Sequence, residues 1–398
     1  MSGLISVDEA LGLLAAHTPV LEHENVATED AQGRMLAADL HARVSRPPAP
    51  VSAMDGYAVR LEDVRAAGTK LNVIGEAPAG APFPGKVGQG EAVRIFTGGE
   101  LPAGADHIVI QEDADRDGDT LNCREAYSET QFVRAKGLDF EEGALILETG
   151  TRLGAAELAI AAAANLATLE VTRRPRVGIL ANGNELKPPG SELGPGEIVN
   201  SNPPALAALI RNWGGEPVDL GTASDTLEDI QAKICAAKDI DIFLPVGGAS
   251  VGDHDLMRPA FAAEGFVPVF EKIAVRPGKP TWFSKSAHAL VLGLPGNPAS
   301  ALVCAHLFLQ PLITGRRLRH IKAKLSAPLS SNGPREHYMR SEAWIDETGS
   351  LTTTPAANQD SSLITPFLSG NALVRRNANS PALKAGELVD LVLMKPLV

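Results

Sequence analysis

The chain has 398 residues, 44% of them hydrophobic and 21% charged, and a formal net charge of -12. That length calls for more than one core and that composition is ordinary for a soluble globular protein, while the negative balance opposes nonspecific binding to nucleic acid or anionic lipid. No apolar run reaches membrane-spanning length, the start MSGLISVDEA is unlike a secretory signal, and Cys123, Cys235 and Cys304 lie far apart without a CxxC, so a cytoplasmic protein with free thiols is expected, with no nucleic-acid and no membrane partner.

In chain order, Ser6 followed by VDEALGLLAAH predicts an N-capped helix with Ala10, Leu11, Leu13 and Leu14 on one stripe. Residues 22–42 predict a strand, a turn and a second helical piece. Pro47, Pro48 and Pro50 then forbid regular helix and lead an extended chain into Ala53-Met54-Asp55-Gly56-Tyr57. From there to about residue 140 the runs are strand-like and turn-rich, as in a small inserted β unit. An Ala-rich helix follows at 155–165. From residue 176 short apolar strands (RVGILAN, EPVDLGT, DIFLPV, HALVLGLPG) alternate with helices (203–213, LEDIQAKICAAK, DLMRPAFAAEG, ASALVCAHLFLQPLI). This is the pattern of a doubly wound, mostly parallel sheet. RRLRHIKAK (316–324) reads as a basic connector, and the tail from 325 reads as a separate small β domain.

The strand at 241–246 breaks into Gly247-Gly248, then Ser250, Gly252 and the carboxylates Asp253 and Asp255 before a helix begins. Bare backbone N–H groups at such a point face the crevice where open α/β sheets bind ligands, and glycine lets the main chain approach an anion. The two carboxylates would repel a naked phosphate, so they call for a bridging cation or a proton to move. The plainer alternative is a strand-to-helix turn capped by Asp253. Glu185, Asp225 and Asp255 follow three separate strands, whose carboxyl ends share one edge of a parallel sheet; singly, each reads as a helix cap. Lys272 and the stiff Arg276-Pro277-Gly278-Lys279-Pro280 turn offer cations suited to tetrahedral oxyanions, against the alternative of solvated charges on a tight turn. LPGNPAS (294–300) repeats the proline-glycine-helix grammar. No GxGxxG or GxxxxGK[ST] occurs, and the nine histidines show no metal-ligand spacing.

Together these segments resemble the molybdopterin molybdenumtransferase family, which includes bacterial MoeA and the E domain of gephyrin. The matching pieces are SAMDGYA (52–58), RIFTGGELPAGAD (94–106), NGNEL (182–186), GGASVGDHD (247–255), RPGKP (276–280) and GLPGNPAS (293–300). Asn184 stands where GDEL is common, Arg276 where Lys is frequent, and Pro50-Val51 where Asp-Asn is usual. The resemblance implies a multidomain α/β plus β fold. Its parts are an elongated linking domain (1–41 and 144–175, the N-terminal helix packing on the α/β domain), an inserted β domain (42–143), a molybdopterin-binding doubly wound α/β domain (176–317) and a C-terminal β-barrel-like domain (318–398). It also implies a homodimer, with the molybdopterin adenylyltransferase and molybdoenzyme apoproteins as further partners. The implied reaction joins adenylylated molybdopterin and molybdate, with Mg²⁺ as cofactor and AMP released. On that pattern Glu185, Asp225 and Asp255 hold Mg²⁺, and Asp55, Thr97 and Asp139 close the site across the dimer. Gly247, Gly248, Ser250, Lys272, Arg276, Lys279, Ser300, Arg340 and Ser361 then receive cofactor and oxyanion. An adenylyltransferase or a molybdopterin-binding scaffold is the alternative.

Overall fold

The computed structural model describes residues 3–247 and 256–397, which form two compact units: Met1–Leu21 with Arg174–Val398, and Glu22–Arg173. No helix among the described residues is long and apolar enough to cross a membrane.

In the Glu22–Arg173 unit, six strands form one sheet in the order His107–Ile110, Gly56–Val59, Glu91–Ile95, Thr69–Ala77, Thr120–Cys123, Ala114–Asp117. Its period-2 alternation is covered on both faces: Tyr57, Val59 and Val109 enter one apolar cluster, while Ala58, Val93 and Ile108 enter another. A further core gathers Leu36, Leu40, Leu153, Ala161, Leu169 and Val171 around the paired strands His23–Ala27 and Thr168–Thr172 and the helix Ala155–Ala163.

The helical piece expected in the second half of 22–42 does not form. Beyond a single 3-10 turn at Thr28–Asp30 the chain runs extended. Met35 and Leu36 bridge to Arg152 and Val171, and the Leu36 N–H donates to the Thr151 carbonyl at 2.9 Å. Pairing with a segment more than a hundred residues away satisfies the backbone and buries Leu36 and Leu40, which outweighs a helix propensity of a few tenths of a kcal/mol per residue.

The other unit holds the doubly wound domain. Glu216–Ala223, Arg176–Asn182, Ile242–Val246 and Leu290–Gly293 run parallel side by side, and Trp282–Lys285 and Val267–Phe270 extend the sheet antiparallel. Ile179, Ile242 and Leu244 face the helix Asn202–Trp213 and the 298–314 helical run. Leu180, Phe243 and Val291 face Leu227–Ala236 and Met257–Ala263. Burying such a side chain contributes about 1.5–3 kcal/mol, so near-continuous apolar strands define a sheet that needs helices on both faces.

The N-terminal helix Val7–Ala15 belongs to this unit. Ser6 Oγ accepts the Glu9 N–H at 3.1 Å, and Val7, Ala10 and Leu14 enter the core with Leu206 and Phe308. The helix read as continuous from 299 is α-helical at Pro298–Cys304, widens to a π turn at Ala305–Leu309 and resumes at Gln310–Thr314. Pro311, which has no N–H for the ladder, lies just past the wide turn.

At the C-terminal end Glu336–Ile345, Leu351–Pro355, Ile321–Leu325, Leu388–Leu393 and Ala372–Arg376 close into a five-stranded barrel, the last pairing with the first. Val275–Arg276 adds in parallel to Glu336–His337, joining the barrel to the α/β sheet.

Candidate functional site

Because the parallel strands end together, their carboxyl edge opens into a cleft of about 460 Å³. Asn182, Glu185, Ile198, Val246, Gly247, Pro280 and residues 295–298 are among those that line it. Gly247 has φ +94°, and a Cβ there would stand 2.9 Å from the Asn182 carbonyl oxygen, so only glycine lets these two strand ends meet. Side-chain amides secure the rim. Asn182 Nδ2 donates to the Ser224 carbonyl at 3.3 Å and Asn202 Nδ2 to the Gly296 carbonyl at 2.8 Å. Asn202 carried no sequence signal and Asn182 only its place at the head of NGNEL, since an amide's value here lies in which distant carbonyl it meets.

Of the three acidic candidates, Glu185 and Asp225 stand exposed beyond adjacent strands. Asn184 ties the two ends together: its N–H donates to Asp225 Oδ2, and its Oδ1 accepts the Asp225 N–H, both at 3.3 Å. Both bonds use groups that an aspartate at 184 would also have, so they do not explain the departure. Asp255, with Gly248, Ser250, Asp253 and His254, lies outside the described residues. Among the described residues no three His, Cys, Asp or Glu side chains gather in a way that could hold a metal.

The cations come from the segment that links sheet to barrel. Lys272 sits on a strand paired with Leu4–Ile5, Arg276 on the strand paired with Glu336–His337, and the Lys279 carbonyl accepts the Ile273 N–H at 3.1 Å. Arg276 and Lys279 are exposed, and the next residue, Pro280, lines the cleft. His337, in register with Arg276, is buried and its pKa is lowered to about 4, first by burial and then by Arg276, Arg335, Arg340 and Arg376. It is a neutral imidazole beside the cationic turn, and an isolated histidine in the sequence did not signal it.

Ser300 is buried in the first turn of Pro298–Cys304. Ser361 reaches the same turn from the barrel: its Oγ accepts from Asn297 Nδ2 at 2.9 Å, and its carbonyl accepts the Ala299 N–H at 3.1 Å. Arg340, expected to contact an anion, is 1% exposed and turned inward. Its guanidinium donates to the carbonyls of Leu363 (2.6 Å), Asp360 (2.9 Å) and Asn358 (3.4 Å) and to Gln359 Oε1 (3.3 Å). Arg340 thus holds the loop that carries Ser361.

In the Glu22–Arg173 unit, Asp55 and Thr97 come together. Asp55 Oδ1 accepts the Thr97 N–H at 2.7 Å and its hydroxyl at 2.8 Å, which hold the carboxyl below its ordinary value. Beside them Arg94 lies over the Tyr57 and Phe96 rings, 5.0 and 4.9 Å from their centroids, and donates to Gln111 Oε1 at 2.9 Å. Asp139 does not join this pair; it faces Arg46 at 3.5 Å.

Three family models match the chain in succession: MoeA N-terminal region (domain I and II) over residues 5–165, a probable molybdopterin binding domain over 178–315, and MoeA C-terminal region (domain IV) over 322–394. The molybdopterin molybdenumtransferase of Nostoc sp. is 37% identical over 78% of this chain and 74% of its own. That of Haemophilus influenzae is 32% identical over 98% of both. The crystal structure of the molybdopterin biosynthesis MoeA protein from Pyrococcus horikosii superposes with a TM-score of 0.83 at 30% identity, covering 99% of this chain and all of that one.

Proposed function

The chain belongs to the molybdopterin molybdenumtransferase family, transferases of molybdenum cofactor biosynthesis, and from that membership we propose that it converts adenylylated molybdopterin and molybdate to metal-loaded molybdopterin and AMP. In this reaction water adds to the adenylyl phosphorus, the phosphoanhydride P–O bond breaks with the molybdopterin phosphate as leaving group, and AMP is released. Molybdate gives up oxygen as water, the protons coming from the dithiol and the solvent, while the dithiolene sulfurs bind the metal.

The observation that carries this reading is the cleft itself: a carboxylate-bearing strand edge and, beyond Pro280, a stiff turn bearing two exposed cations. Cleaving a phosphoanhydride needs neutralised oxygens and an aligned water more than a covalent nucleophile. Arg276 and Lys279 receive oxyanion oxygens, the first as a planar fork and the second as a point charge. Ser300 and Ser361 stand at the neighbouring helix start, and Arg340 positions Ser361. Glu185 and Asp225, with Asp255, supply the hard oxygen donors that suit Mg²⁺, an ion that keeps most of its waters and needs only one or two carboxylates; bound there, it neutralises phosphate charge. In the same reading the enzyme is a cytoplasmic homodimer to which Asp55 and Thr97 contribute across the subunit boundary. It takes its substrate from the adenylyltransferase and passes its product to molybdoenzyme apoproteins.

Incubation with adenylylated molybdopterin, Mg²⁺ and molybdate is expected to yield AMP and metal-loaded pterin in equal amounts, dependent on molybdate. Glu185→Gln is expected to lower kcat by about a hundredfold, in the range of a lost electrostatic stabiliser. AMP formation indifferent to molybdate, or metal loading without AMP, overturns the reading.

A further inference from the structure

We propose that Cys304 is a positioning residue: its sulfur is the seat on which the Arg276–Lys279 turn rests, and its size sets where those two cations stand for a tetrahedral oxyanion. The inference rests on the reading that this turn receives molybdate or phosphate oxygens.

The turn presses directly on the thiol. Gly278 has φ +114°, a conformation that side-chain-bearing residues rarely adopt, and a Cβ placed there would lie 2.1 Å from Cys304 Sγ. The backbone of the turn is therefore as close to the sulfur as packing permits. Thr281 donates its hydroxyl to Cys304 Sγ at 3.3 Å, and the Pro277 carbonyl lies 3.9 Å from the same sulfur. One buried atom thus touches the turn at its first proline, its glycine and its exit.

Little else in the turn can yield. Its entry is fixed on two sides, where the Ala274 N–H donates to the Ile5 carbonyl at 2.7 Å and the Ala274 carbonyl accepts the Glu336 N–H at 2.9 Å. Its exit is fixed by Thr281 N–H to the Gly278 carbonyl at 3.0 Å, and Pro277 and Pro280 restrict the torsions between. A change in the volume of residue 304 therefore has to appear as a displacement of the segment bearing Arg276 and Lys279.

Cys304 also registers the turn against the rest of the cleft. It follows Ser300 by four residues on Pro298–Cys304, so both side chains lie on one face of that helix. The helix start that presents Ser300 carries the seat of the cations one turn further on. Chemistry at the sulfur itself is ruled out by its setting: the side chain is fully buried and its thiol pKa is pushed up to about 12.

The test compares Cys304→Met, which overfills the seat, Cys304→Ala, which empties it, Cys304→Ser, which keeps a small group able to accept from Thr281, and Thr281→Val. KM and kcat for molybdate in the AMP-release reaction, the Kd of molybdate by calorimetry, and Tm are measured on each full-length variant. Cys304→Met is expected to raise KM and Kd together by about tenfold with kcat within about twofold, the size of one weakened charge-assisted hydrogen bond to the bound oxyanion. Cys304→Ala and Thr281→Val are expected to show about threefold rises, and Cys304→Ser, which keeps the acceptor but not the volume of sulfur, a rise no larger than that of Cys304→Ala. Unchanged KM and Kd in folded Cys304→Met overturns the proposal. So does a loss of kcat that follows Tm while KM stays fixed, because that is a purely structural role. If Cys304→Met does not fold, native KM in both Cys304→Ala and Thr281→Val overturns it equally. A native protein that shows no saturable molybdate binding overturns the reading of the cleft instead, and this proposal with it.

Discussion

At the scale of single residues, the site's charged groups owe their state to short-range partners. Asp55 is ionised well into acid because the Thr97 N–H and hydroxyl both donate to one of its oxygens, the N–H having the larger effect. Thr97→Val removes the hydroxyl and leaves the N–H. The Asp55 carboxyl is then expected to titrate at higher pH, part of the way back to its ordinary value, which carboxyl-carbon NMR across the acid range would read directly. A titration identical to that of the native protein removes Thr97 from this role. Arg340 works by bonding to the chain. Replacing it with Met strands the carbonyls of Asn358, Asp360 and Leu363, and the expected loss is about 3 kcal/mol in urea unfolding. A loss under about 1 kcal/mol, within the range of an ordinary hydrogen bond, contradicts that account.

Among the elements, those defined by their own sequence formed where that sequence placed them. Ser6 caps Val7–Ala15 through the Glu9 N–H, and Ser6→Ala is expected to destabilise by about 1 kcal/mol, read as a fall in denaturation midpoint at unchanged m. Asn202–Trp213 and Leu227–Ala236 likewise follow their apolar stripes, with Gly214 and Thr226 at their boundaries. Elements that depend on partners were less legible. The chain after Asp30 became extended because Thr151 and Glu170 offer it carbonyl groups, and the helix after Pro298 widened at Ala305–Leu309, where His306 packs edge-on against Trp213 with ring centroids 5.1 Å apart. Neither distant contact can be inferred from a window of ten residues.

Over the whole molecule, buried histidines make stability depend on pH. His107, His306 and His337 are buried, and burial, the leading cause in each, lowers their pKa to about 4 from an ordinary 6.5. The unfolded chain binds these protons near pH 6.5 and the folded chain only near 4, so stability is full above about pH 7 and falls as pH drops through that window. His306 alone contributes a loss of about 3 kcal/mol by pH 4. Urea midpoints at pH 7.5, 5.5 and 4.5 should decline accordingly, and His306→Phe should flatten the decline. An unchanged slope in that variant would show that His306 is not among the groups responsible.

What the sequence determined by itself is what a few neighbouring residues can encode. It specified capped and striped helices, apolar strands that stop at glycine, a proline-stiffened turn of cations, and segments whose order resembles one enzyme family. Local sterics and burial periodicity act over single turns, so these features could be read before any fold was known. Tertiary structure alone decided which groups meet across long separations: Asn184 with Asp225, Asp55 with Thr97, Gly278 with Cys304, and Arg340 with the loop at 358–363. It also turned Arg340 inward and gave Asp139 to Arg46. The physical reason is that a side chain's partner is set by strand order and close packing, which depend on the burial of the whole core, and no short stretch of chain contains that information.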